Sequence, residues 1–217
     1  MSMCHREEIE CPKCGHKSEF EVWKSINTML DPEMKAAVLD RSAFKFKCSE
    51  CGHEANVDYG FLYHQMEDRL MIYYVQDEQG MKDAYEMFRG DMLSDELIEM
   101  AQEGYRYRIV TSQNELLEKI IIFDDGYDDR LIEAMKIFII ANLSKDNPEL
   151  DIQRLYYDDR DKKCFVVIGE NGAIGSVDFD EEMYEIVKND VAKEWPDIVE
   201  DDIIINMQWT LERMGIE

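Results

Sequence analysis

The sequence predicts an α+β protein in two parts, and three observations carry that reading. Short alternating apolar runs bounded by turns mark strands, and acid-capped periodic stretches among them mark helices. The hexapeptide Cys11-Pro12-Lys13-Cys14-Gly15-His16 recurs as Cys48-Ser49-Glu50-Cys51-Gly52-His53. The best break in the chain, Ser144 to Glu149 with Pro148, divides residues 1–143 from 144–217.

The paired hexapeptides carry the chemistry. A two-residue spacer lets both sulfurs of one Cys-x-x-Cys turn face a single ion, and two turns supply four thiolates. That is enough to close a tetrahedral Zn²⁺ site. Gly15 and Gly52 suit a backbone that takes positive φ just after each second cysteine. Thirty-three residues separate Cys14 from Cys48, which fits a ribbon whose knuckles end separate strand pairs. The expected ligands are Cys11, Cys14, Cys48 and Cys51, holding one structural Zn²⁺. A redox dithiol is the rival reading of one such motif, and iron would fit the same tetrahedral set. Two matched motifs favour a shared zinc. His16 and His53 could each replace a cysteine, but four cysteines already close the site, so both are expected beside it or in solvent. Cys4 and His5 form another ligand-like pair, in a polar stretch read as a frayed terminus. Cys164, within the apolar run Lys163 to Ile168, reads as a small buried hydrophobe.

Along the chain, residues 18–27 alternate apolar and polar, so a strand leaves the first knuckle. Asp31-Pro32 opens a helix that ends near Leu39, with Asp31 as N-cap and proline at the first helical position. Phe44 to Lys47 is a short strand delivering the second cysteine pair. Residues 54–63 and 70–75 read as two strands around the polar turn Gln65 to Arg69, so the first 76 residues form a ribbon with one inserted helix. A helical pattern then runs from Gly80 to Gly104, broken at Gly90 and restarted by an N-cap at Ser94. Tyr105 to Val110 is a strand, and Ser112-Gln113-Asn114-Glu115 is a capping box for a helix through Ile121. Asp128 or Asp129 caps the next helix, which runs to about Leu143. Beyond the break come strands 150–157, 163–169 and 173–178 and an acid-capped helix 181–194. Residues 203–214 are ambiguous between strand and helix.

Composition narrows the function classes. The chain of 217 residues can bury a sizeable core. No N-terminal apolar stretch resembles a signal peptide, and the longest apolar run, Met135 to Leu143, is too short to span a bilayer. Metal-binding cysteines fit a reducing cytoplasm. The formal net charge is −25, and four thiolates with one Zn²⁺ would make it about two units more negative. Binding a phosphate backbone needs clustered Lys and Arg, whereas 24 scattered basic residues face 49 acids here. Nucleic acid and membrane are therefore excluded as expected partners, and a protein partner, basic in character, suits the surface.

Other constellations are weaker. Asp124, Asp125, Asp128 and Asp129 could hold Mg²⁺ or Ca²⁺, but two helix ends with capping acids explain them. Asp158, Asp159 and Asp161 read as a solvated hairpin tip, and Gly169, Gly172 and Gly175 as turns without the Rossmann spacing. His64 with Glu67 is a conceivable acid–base pair, weighed against a hydrogen-bonded turn histidine beside the structural aromatic residues Tyr59, Phe61 and Tyr63. No Walker loop, nucleophile elbow or His-Glu-x-x-His helix is present.

The stretches Cys11 to Gly15, Trp23 to Asn27, Asp31-Pro32, Phe46 to Gly52, Glu115 to Ile120 and Asp124 to Arg130 resemble the CpXC family, over roughly residues 8 to 143. Its members carry paired Cys-Pro-x-Cys-like motifs; here the second pair departs, with Ser49 in place of the proline. The resemblance implies a zinc-ribbon-like domain and adds no catalytic residue. The preferred expectation is a non-enzymatic, cytoplasmic interaction or adaptor protein with a structural zinc. The alternatives are a metal-dependent hydrolase using the acidic cluster or His64, and a thiol-based zinc or redox sensor.

Overall fold

In a computed structural model describing residues 2–89, 104–193, 195 and 202–216, helices and sheets mix as an α+β protein. The chain divides into two compact units, Met1–Gln113 and Asn114–Glu217. The division falls inside the stretch that the sequence assigns to a first domain of residues 1–143.

In the first unit, β1 (Met3–Glu10) and β2 (Lys17–Asn27) form an antiparallel hairpin with the first knuckle as its turn. This corrects the frayed terminus expected around Cys4 and His5. The eleven-residue β2 gives residues 3–10 a partner, with Cys4 opposite Trp23 and His5 opposite Val22. β1 resembles a tail in sequence because most of its residues are exposed, which erases the alternation that marks a half-buried strand.

α1 (Glu33–Leu39) begins as expected behind Pro32, but Asp31 contributes its backbone carbonyl, accepting from Met34 N at 3.0 Å, and the cap position is the proline itself. β3 (Lys45–Lys47) and β4 (Glu54–Asn56) form a second hairpin around the second knuckle. The single strand expected over 54–63 is therefore two. Val57 N closes the ribbon on Phe44 O at 2.7 Å, and the chain then crosses to β5 (Phe61–Gln65). Gly60 permits the crossing, because a Cβ there would lie 2.7 Å from the Tyr74 carbonyl oxygen. β5 pairs in parallel with the far end of β2 and antiparallel with β6 (Leu70–Tyr74). β6 pairs in parallel with β7 (Arg106–Val110), giving a five-stranded sheet in the order β1-β2-β5-β6-β7. The first 76 residues thus exceed a ribbon with one helix. α2 (Glu78–Arg89) starts on Asp77, whose carboxylate accepts from Gly80 N, and buries Ala84 and Phe88. The break at Gly90 and the cap at Ser94 lie outside the described residues.

An aromatic string ties the ribbon to this sheet. Phe46 of β3 lies 6.3 Å from Phe20, Phe20 lies 6.0 Å from Tyr59, and Phe44 sits among Tyr59, Phe61 and Tyr74. Edge-on and tilted pairs at these separations are attractive beyond their burial.

In the second unit, α3 (Gln113–Asp124) and α4 (Asp129–Asp146) are joined by a tight turn. Gly126 takes φ +77°, Gly126 N reaches Phe123 O, and Tyr127 N reaches Ile122 O; this is a Schellman closure. Asp128 caps α4 by accepting from Arg130 N at 3.0 Å. β8 (Arg154–Asp158), β9 (Cys164–Gly169) and β10 (Gly172–Asp178) make an antiparallel sheet in the order β10-β9-β8. The first of these starts four residues later than expected, since Leu150 N is turned back onto Asn147 O. Cys164 is only half-buried, a correction: in β9 the alternate residues Phe165 and Val167 take the core. α5 (Glu181–Ile186), capped by Asp180, widens into a π-turn over Val187–Val191. The ambiguous tail resolves as irregular chain through Ile205 followed by α6 (Met207–Met214), capped by Asn206.

Five charged side chains are buried between α3 and α4. Lys119 Nζ lies 2.8 Å from Asp129 Oδ2 and 3.5 Å from Glu133 Oε1. Lys136 Nζ lies 2.7 Å from Glu118 Oε1 and 2.8 Å from Glu133 Oε1. Burial opposes the Lys136 charge, but Glu118 and Glu133 push its pKa above the usual lysine value. Paired charges of this kind stabilise little on balance, whereas removing one partner strands the others. Lys136→Met should therefore cost about 3–5 kcal/mol in urea unfolding. Adding Glu118→Gln should recover part of the loss, because one uncompensated carboxylate disappears.

Candidate metal centre

Each knuckle is built by the same backbone bonds. Cys11 N donates to His16 O at 2.9 Å and Gly15 N to Cys11 O at 2.9 Å; Cys48 N donates to His53 O at 2.9 Å and Gly52 N to Cys48 O at 3.0 Å. Both glycines take positive φ, +72° and +68°, where a side chain would be strained. The two hairpins bring the knuckles together, as their expected place at the ends of separate strand pairs requires. Cys11 Sγ lies 3.7 Å from Cys51 Sγ and Cys14 Sγ lies 3.6 Å from Cys48 Sγ. All four sulfurs fall within 4.8 Å of one another. With metal–sulfur bonds of about 2.3 Å, a tetrahedral site has sulfur–sulfur edges of about 3.8 Å, so the four cysteines are arranged to hold a metal ion. Cys11 and Cys48 are buried with Phe46, flanked by Ile9, Phe20, Ala55 and Val57, while Cys14 and Cys51 are exposed.

The electrostatics are those of four acids sharing a small volume. Led by the Cys51 backbone N–H, the local amides pull the Cys48 thiol down to about 6. The His16 backbone favours the Cys14 thiolate, but the Cys51 sulfur, burial and the sulfurs of Cys48 and Cys11 push it up to about 12. A dication would stabilise all four thiolates at once, releasing the protons they carry.

Ser49 explains its own departure from Cys-Pro-x-Cys. Its backbone N–H donates to Ser18 Oγ at 3.1 Å, and the buried Ser18 hydroxyl lies 3.0 Å from Ser49 Oγ and 3.9 Å from Cys48 Sγ. Proline there would remove the donor. The second knuckle is thus clamped by β2.

The remaining residues singled out in the sequence do not join the sulfurs. His16 is exposed and His53 half-buried, and each serves its knuckle through its carbonyl. Cys4 is exposed on β1, and His5 contacts Glu7 at 2.8 Å. Among the described residues, the four cysteines are the group of His, Cys, Asp and Glu side chains found close enough to share a metal. Asp124 is exposed, Asp125 accepts from Tyr157 Oη at 2.6 Å, Asp128 caps α4 and holds Arg130, and Asp129 is buried against Lys119. Asp158 pairs with Arg160, and Asp161 is exposed. His64 is buried in β5 with Nε2 3.2 Å from Tyr105 Oη, while Glu67 lies exposed in the following turn. Sequence reasoning missed the buried charges Glu118, Lys119, Glu133 and Lys136, which look like an ordinary solvated helix face until α3 meets α4. No described helix is long and apolar enough to cross a membrane.

Two measurements follow from this geometry. Ser18→Ala should lower stability by about 1–2 kcal/mol by leaving Ser49 N–H without its acceptor, read by chemical unfolding, and should speed metal loss to a chelator. Burial lowers His64 to about 4, against about 6.5 in an unfolded chain. Between those values the unfolded chain binds a proton that the folded protein excludes, so stability falls as pH drops from about 6.5 to about 4. NMR titration should find His64 neutral at pH 5, and His64→Phe should flatten this part of the pH–stability curve.

The family model described as CpXC protein matches residues 9–136. No curated protein and no solved structure matches the chain. The matched stretch takes in both knuckles and more than half of the sequence: the protein belongs to the CpXC family.

Proposed function

We propose that this is a non-enzymatic, zinc-stabilised interaction protein of the reducing cytoplasm. The observation that carries the reading is the set of four sulfurs, all within 4.8 Å of one another, supplied by two hairpin turns. Four thiolates suit Zn²⁺, and a site filled by protein leaves no position for water or substrate. The metal acts by holding the two hairpins together, so its binding energy is folding energy. Of the acids a hydrolase would use, Asp125 accepts from Tyr157, Asp128 caps α4 and holds Arg130, Asp129 pairs with Lys119 and Asp158 with Arg160, which favours the non-enzymatic reading. The net charge of −25 favours a basic protein as partner.

A second reading, thiol-based sensing, has one observation in its favour: each knuckle has one exposed sulfur, Cys14 and Cys51, open to an oxidant. Mild peroxide that ejects the metal reversibly at physiological doses would shift the balance to that reading.

Elemental analysis of protein purified without added metal should find one zinc per chain. Cys48→Ser with Cys51→Ser should lose the zinc and at least about 5 kcal/mol of stability, with disorder spreading from the ribbon. A second tightly held metal would favour the hydrolase reading, and metal-free protein with reversibly cycling disulfides would overturn the zinc reading.

A further inference from the structure

Building on that interaction role, we propose that the open edge of β10 and the apolar groove beside it dock an extended, basic segment of a partner protein, with one apolar side chain seated in the groove. Among the described residues β10 pairs with β9 on one side only, and residues 172–176 are exposed on a strand of length seven. The opposite edge is closed differently: on β8, Tyr157 N donates to the buried Glu118 carboxylate at 2.5 Å. Edge strands are commonly blunted by lysine, proline or a bulge. β10 has neither lysine nor proline. Its bulge lies between Ala173 and Gly175, which leaves Gly175 to Asp178 in regular register with Val167 to Cys164. That stretch offers unpaired backbone groups of the kind that strand addition uses.

The groove lies beside this stretch. It measures about 210 Å³ and is walled by Met135, Ile139 and Leu143 of α4, Phe165 and Val177 of the sheet, and Met183 of α5. An apolar cavity of about 150 Å³ already admits a benzene ring, so this one has room for a leucine-, methionine- or phenylalanine-sized side chain. Two of its walls are methionines, which adapt to varied shapes. Gly175 shares a strand face with Val177 and leaves that side open: a Cβ added there meets nothing within 4 Å.

Charge selects the occupant. The charged groups lining the groove are Asp178 and Asp180; of the two glutamates that follow, Glu182 is exposed, and the exposed Glu181 accepts from Tyr127 Oη and lies 3.9 Å from Lys163 Nζ. Asp178 is paired with Lys162, but both side chains are about 70% exposed, and pairs so exposed are weak enough to be exchanged. A second copy of this chain, carrying the same charge of −25, is repelled from this edge; a basic strand is drawn to it.

The test uses the full-length, zinc-loaded protein with labelled amides and methionine methyls. The probe is a blocked peptide alternating lysine and threonine around one central leucine. Saturable shifts confined to β10 and the Met183 methyl are expected. Affinity should fall about tenfold or more when the leucine becomes serine, and in Gly175→Val, whose side chain fills the open space on the Val177 face of the strand beside the groove. Asp178→Asn with Asp180→Asn, which keeps an N-cap residue on α5, should weaken binding and its salt dependence together. Absence of saturable shifts, equal binding of the serine peptide, or undiminished binding by folded Gly175→Val would overturn the site. Self-association abolished by Gly175→Val would also overturn it, assigning the edge to a second copy. Zinc content is read on the same sample. A folded protein with one zinc that ignores the peptides loses the docking site and keeps the zinc-stabilised interaction reading, whereas a second bound metal or absent zinc counts against that reading itself.

Discussion

The convergence of four sulfurs is the constraint on which the first unit depends. The ribbon has little core of its own: the apolar cluster around the knuckles is Cys11, Cys48 and Phe46, flanked by four partly buried residues. A module of that size cannot offset its chain entropy by burial alone. What links β1–β2 to β3–β4 is the meeting of knuckles more than thirty residues apart, completed by the Ser18–Ser49 clamp. β2 transmits that order, since its first part pairs with β1 beside the knuckle and its last residues pair with β5. The aromatic string from Phe46 through Phe20 and Tyr59 to Phe61 and Tyr74 couples the same two regions through packing.

The second unit solves a different problem. α3 is buried all round from Leu116 to Phe123, so its Glu118 and Lys119 lie in the interior it shares with α4. Three carboxylates and two ammonium groups satisfy one another there. Apolar residues would pack the same space at least as favourably in many proteins. What the charges add is direction, because Glu118 also accepts from Tyr157 N and so fixes the edge of β8 to a helix. The result is a sheet with one edge closed by a buried carboxylate and the other, among the described residues, unpaired beside an apolar groove.

The metal-site geometry was legible in sequence because it is local. A Cys-x-x-Cys-Gly turn contains its own hydrogen bonds and its own positive φ, and both copies form the same bonds. Two helix starts were legible for the same reason: Asp128 and Asp180 each cap with a side chain two or three residues from the amide it serves, whereas the start at Asn206 was ambiguous because the isoleucines before it read as strand. β1 was not legible, because its order comes from a partner strand and its own faces carry no apolar pattern. The split between β4 and β5 was hidden as well, since Val57 and Gly60 matter through Phe44 and Tyr74, residues distant along the chain.

By itself, then, the sequence determined the two knuckles, the family, the α+β class and the strongly acidic surface, all of which follow from residue type and short spacing. Tertiary structure alone decided that β2 serves both hairpin and sheet, that Glu118, Lys119, Glu133 and Lys136 are interior rather than surface charges, and that β10, among the described residues, pairs on one side only. The physical reason is range. Caps, turns and ligand spacings are settled within a few residues, whereas burial, strand pairing and charge compensation depend on which distant segment arrives alongside.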